Sequence, residues 1–66
     1  MHNNLLAEMA RKSVTVSDLA KILKCSDRTV KNKIAGITPF TYKEATTIRN
    51  TFFKKLDTEY LFETDS

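Results

Sequence analysis

The sequence predicts an all-α fold of five short helices in a single domain, residues 1–66. Three observations carry this. One glycine and one proline are too few for the turns of an all-β chain. Apolar residues recur at three- and four-residue spacing, the period of a helix with one buried face. Twice a threonine stands three positions ahead of an acid, Thr15 before Asp18 and Thr41 before Glu44, which is the capping-box signature of a helix start.

The first helix is expected over residues 3–12, with Leu5, Leu6 and Met9 as its apolar stripe. Asn3 or Asn4 caps it, and Arg11 and Lys12 sit against the negative end of its dipole. His2, ahead of this helix, is expected to be solvated. Ser13 and Val14 connect to a second helix opened by Thr15, with Leu19, Ile22 and Leu23 inward. Ala20 is small enough to let two helices cross closely. Lys24, Cys25 and Ser26 form a turn, Cys25 filling a core gap as a small hydrophobe. Ser26 caps a third helix over residues 27–35, which Gly36 ends.

The loop Ile37-Thr38-Pro39-Phe40 precedes a fourth helix from Thr41 to about Lys54. Ala45, Ile48, Phe52 and Phe53 are its candidate buried residues, with Lys43, Arg49 and Asn50 pointing elsewhere. Asp57 caps a last helix from Thr58 to about Phe62, and residues 63–66 are expected to fray. Tyr60, Leu61 and Phe62 either close the core or meet a second subunit.

A chain of 66 residues buries only about 60% of its unfolded surface, so stability rests on helix packing and on any dimer it forms. With one cysteine it makes no internal disulfide, and one Cys and one His supply no metal cluster. Neither paired carboxylates nor a Ser/His or Cys/His pairing suggests an enzyme, and no cofactor is expected. No signal peptide or long apolar run is visible, so a cytoplasmic protein is expected, without membrane or small-molecule ligand. Charge divides sharply along the chain. Residues 1–55 hold all 11 Lys and Arg against four acids, whereas residues 56–66 hold four acids and no base. A basic body of this kind suits a polyanion.

The third helix concentrates the argument. At 100° per residue, with Val30 and Ile34 inward, Arg28, Lys31 and Asn32 face away from the core. Arg donates two hydrogen bonds to guanine O6 and N7, and Asn pairs with adenine N6 and N7. Asp27 could accept from cytosine N4, but a carboxylate near phosphates is repelled unless it pairs, which favours its stabilising the helix dipole or orienting Arg28. Thr29 and Lys33, on the rim, suit phosphates, which position a protein without reading sequence.

The stretch Thr15–Gly36 resembles the helix-turn-helix of the Cro and phage-repressor (XRE-type) family. The matching features are the capping Thr15, Leu19-Ala20, the turn Lys24 to Ser26, Val30 in mid-helix and the terminal Gly36. The segment KNKIAGITPFTYKEATTI and the closing YLFE further resemble a subgroup found in phages and mobile elements of Gram-positive bacteria. At Val16 the family often has Gln, in the turn it usually has Gly where Lys24 stands, and it has an apolar residue where Lys33 stands. Lys24 at positive φ would store about 1 kcal/mol of strain, unless the turn differs.

The resemblance implies a lambda-repressor-like fold and a transcriptional regulator, repressor-like and of phage or prophage type, acting by occupying an operator. It implies double-stranded DNA as the partner, with Asp27, Arg28, Lys31 and Asn32 at the bases. Thr15, Ser17, Ser26, Thr29, Lys33, Thr38, Thr41, Tyr42 and Lys43 would lie near phosphates. A homodimer on a palindromic site is the family's usual arrangement, and Phe53, Leu56, Tyr60 and Phe62 are the candidate interface. The rival reading is a protein-interaction module, such as an antirepressor or an antitoxin-like partner.

Overall fold

A computed structural model describes residues 2–63. Its described residues contain five helices and no strand: α1 (Asn3–Lys12), α2 (Val16–Leu23), α3 (Asp27–Ala35), α4 (Tyr42–Phe52) and α5 (Thr58–Leu61). The expected fraying of residues 63–66 falls, beyond Glu63, outside the described residues.

Both capping boxes form. Thr15 accepts from the Asp18 N–H at 3.1 Å while the Asp18 carboxylate accepts from the Thr15 N–H at 2.9 Å. Thr41 and Glu44 repeat the exchange at 3.1 and 2.9 Å. Ser26 caps α3 by accepting from the Thr29 N–H. Each arrangement satisfies backbone donors that a helix start otherwise leaves open.

Three helices close in the same way. Ser13, Lys24 and Gly36 end α1, α2 and α3 in the left-handed region, at φ 56°, 57° and 87°. Past each, the next residue donates back five positions: Val14 to Met9, Cys25 to Ala20 and Ile37 to Asn32, at 2.9, 3.1 and 2.9 Å. Only Gly36 is free of the Cβ penalty this geometry carries. Val14 and Cys25 turn inward and pack against the core, as such closures favour.

Leu5, Leu19, Val30, Ile48, Phe53 and Leu61 are fully buried and form the centre. Met9, Ala20 and Ile34 complete the core. α2 packs against α3 and α4, and α5 closes against α1 and α4. Tyr60 fastens that closure: its carbonyl accepts from Asn4 Nδ2, and its hydroxyl donates to Glu8 at 2.9 Å. Glu8 is buried, and Arg11 also holds it, at 3.2 Å. A buried carboxylate needs such partners.

Several expectations are corrected. His2 is buried, not solvated: its ring meets Phe40 and Phe62 edge-on at 5.1 and 5.8 Å. Its backbone N–H donates to Ile34 O at 3.0 Å, so it links the start of α1 to the end of α3. His2, rather than Asn3 or Asn4, occupies the N-cap position of α1, and its side chain makes no capping bond. Phe53, not Phe52, is the fully buried aromatic at the end of α4, which stops two residues short of Lys54. Phe53 leaves helical geometry at φ −133° as its ring enters the core. Arg49 does not simply point away: its Nε donates to Leu56 O at 2.8 Å. The Asp57 side chain makes no capping bond, and α5 ends at Leu61. No helix among the described residues is long and apolar enough to cross a membrane.

Candidate nucleic-acid interface

The site is built on α3, whose buried residues are Val30 and Ile34. That leaves Arg28 and Lys31 on the exposed side, and neither side chain has a partner among the described residues. Asn32 is half-buried. Its backbone carbonyl accepts from the Ile37 N–H and, at 3.4 Å, from the Thr38 N–H, so Asn32 also anchors the end of the helix.

Asp27 is exposed, and its carboxylate accepts from the Ser17 hydroxyl at 2.9 Å. This bond ties the first turn of α2 to the start of α3, so Asp27 pairs with Ser17 and not with Arg28. The Ser26 and Thr29 hydroxyls lie 3.0 Å apart. Both therefore serve the cap of α3, and Thr29 is half-buried. Thr15 stays exposed while its hydroxyl oxygen caps α2.

Thr38, Thr41, Tyr42 and Lys43 are all exposed around the loop and the start of α4, Tyr42 by 83%. Lys33 is placed differently from the expectation. Its side chain is only 13% exposed and forms an ion pair with Glu44 at 3.0 Å. It also donates to Pro39 O at 3.1 Å. Lys33 therefore faces the α3–α4 junction and not a rim. On the wheel Lys33 lies about 80° from the inward direction, at the edge of the buried face, and its long stem carries the ammonium to Glu44.

Cations thus separate into two groups. Arg11, Lys12, Lys33 and Arg49 bond within the chain, Lys12 by donating to Phe52 O and lying over the Phe53 ring. Arg28, Lys31 and Lys43 are exposed without such bonds among the described residues, as are Lys24, Lys54 and Lys55, while Lys21 is exposed near Asp18. Lys43 and Lys24 line one cleft of about 320 Å³ together with Glu44 and Thr47. No group of three metal-ligating side chains occurs among the described residues.

Ile37, 73% exposed directly after α3, is a surface residue the sequence reading did not single out. Unlike Val14 and Cys25 at the other two closures, it does not pack against the core, a difference that only the folded structure shows. His2 carried no signal in the sequence either, because its burial depends on Phe40 and Phe62, both distant in sequence.

Of the candidate interface residues for a second subunit, Phe53 is fully buried, and Leu56 and Phe62 are half-buried against the core. Tyr60 keeps 39% of its surface. No protein-family model, curated protein or solved structure matches the chain.

Proposed function

We propose that this protein binds double-stranded DNA in a sequence-specific way, with α2, the turn 24–26 and α3 acting as a helix-turn-helix in a lambda-repressor-like fold. It is read as a transcriptional regulator that occupies an operator, in the manner of the Cro and phage-repressor family. The observation that carries this reading is the outward face of α3. Arg28 and Lys31 stand exposed there without intrachain partners, on a helix whose opposite side is buried. A helix of this diameter fits the major groove, and these groups match guanine O6 and N7 and the phosphates.

Ser17 and Thr15 lie at the start of α2, and Thr38, Thr41, Tyr42 and Lys43 around the α3–α4 loop; in this reading both sets flank α3 on the phosphates. Asp27 acts through Ser17 by holding α3 on α2. A palindromic site would accommodate two copies, with half-sites about one helical turn apart.

Selection from a random duplex pool should yield a defined site. Arg28→Ala should then weaken its binding by about 1–3 kcal/mol and relax preference at one position. Equal loss on selected and random duplexes would remove Arg28 from base reading. Binding should also fall steeply with salt as phosphate counterions are released. Absence of duplex binding at low salt would favour the protein-interaction reading, for which Ile37 and Tyr42 are the most exposed large hydrophobic residues among the described ones, ahead of Leu6 and Tyr60.

A further inference from the structure

The ammonium of Lys33 reaches two acceptors across the α3–α4 junction. One is Glu44 Oε1 at 3.0 Å, the other Pro39 O at 3.1 Å. Glu44 Oε1 also accepts from the Thr41 N–H at 2.9 Å, so one carboxylate oxygen serves the α4 cap and the link to α3. The two side chains are 13% and 25% exposed, so solvent screens this pair less than one on an open surface. Glu44 is held below the ordinary glutamate range, first by the Thr41 backbone N–H and, against its partial burial, also by Lys33. The loop is also held by backbone bonds from Gly36 to Lys33 O and from Ile37 and Thr38 to Asn32 O, and by the Phe40 ring against His2 and Phe62; the Lys33–Pro39 bond is the side-chain hydrogen bond that ties it to α3 among the described residues.

Resting on the DNA-binding reading for its functional consequence, we propose that Lys33 is a positioning residue. Its bridge to Glu44 and Pro39 fixes the 36–41 loop, and with it Thr38, Thr41, Tyr42 and Lys43, against the end of α3. This role excludes a phosphate contact by Lys33. Turning the ammonium outward would leave the Glu44 carboxylate without its cation and facing the same anion.

Charge gives a discriminating test. Glu44→Gln keeps an acceptor for the Thr41 N–H, so the capping box survives. It removes an acid from the DNA-facing side, which on electrostatics alone tightens duplex binding. Positioning gives the opposite sign. Glu44→Gln and Lys33→Met should each bind the selected duplex several-fold more weakly, and Lys33→Arg should restore binding. In the free protein the first two should speed amide exchange at Ile37, Thr38 and Thr41, whose N–H groups are hydrogen-bonded.

Tighter binding by Glu44→Gln, or unchanged loop exchange in both variants, would overturn the proposal. If Lys33 instead touches phosphate, Lys33→Met lowers the salt slope by about 1 with the loop amides unchanged. A wild-type protein that binds no duplex would sink the DNA reading separately, while the exchange measurement still decides whether the bridge holds the loop.

Discussion

The imidazole of His2 sits between Phe40 and Phe62 with Nδ1 buried and unpaired. Burial pushes its pKa below the ordinary value near 6.5, despite a raising contribution from the Phe62 backbone. The folded protein therefore favours neutral His2, and the unfolded chain binds its proton more readily. Stability from this group is complete above about pH 6.5 and is lost as pH falls through the lower folded value. Asp18 and Glu44 are also lowered, chiefly by the backbone N–H groups of Thr15 and Thr41. Their contribution is complete above the ordinary carboxylate range of about 4 and fails on further acidification. Thermal melts should thus show two falls in Tm, one starting near neutrality and one below it. His2→Phe, which keeps a ring in place, should abolish the first and leave the second. Parallel curves for the two proteins would remove His2 from the pH response.

Helices α1, α2 and α3 each end in a left-handed residue, and two of the three are not glycine. At Lys24 the side chain is exposed, so its replacement tests the backbone alone. Lys24→Gly should relieve strain of about 1 kcal/mol, partly offset by glycine's greater unfolded freedom. The expected outcome is a Tm raised by up to about 4 °C, measured by calorimetry. An unchanged or lower Tm would mean that the turn carries no useful strain. Elements of this kind were legible wherever one side chain signals a boundary. Thr15, Ser26 and Thr41 mark starts by their own hydrogen bonds, and Gly36 marks an end by its φ. The start of α1 and the end of α4 were not legible to the same degree. No side-chain bond caps α1, and α4 stops where Phe53 turns into the core without a Gly or Pro to announce it. The site followed the same division. The outward face of α3 came from periodicity, while the Lys33–Glu44 bridge and the Ser17–Asp27 bond need residues brought together by folding.

For the whole molecule, a centre of six fully buried large side chains leaves little reserve. Phe53 is the largest of them, touched by Phe52 on one side and by the Lys12 ammonium on another. Phe53→Ala should cost about 3–5 kcal/mol, against a total of roughly 5–15 kcal/mol for a domain. Circular dichroism should show this variant largely unfolded near 37 °C. A folded Phe53→Ala protein with altered oligomeric state would instead return this residue to the interface. The side chains once open to either role, core or second subunit, are divided by the fold: Leu61 is spent entirely inside, and Tyr60 keeps part of its ring outside.

The clasp between α1 and α5 joins residues 52 and 56 positions apart, through Tyr60 to Glu8 and Asn4. Helix α5, with four residues, is far too short to persist alone. The α2–α3 pair, adjacent in sequence, closes only a short turn. Loop-closure entropy therefore orders events in time: the local pair nucleates and the two ends meet last. Tyr60→Phe, which leaves Glu8 with Arg11 as its donor, should then speed unfolding and leave the refolding rate nearly untouched in stopped-flow measurements. Equal slowing of refolding would place the clasp in the nucleus. A late-closing clasp means that the lifetime of the folded state is set where α1 and α5 meet, far in sequence from the mid-chain residues proposed to read DNA.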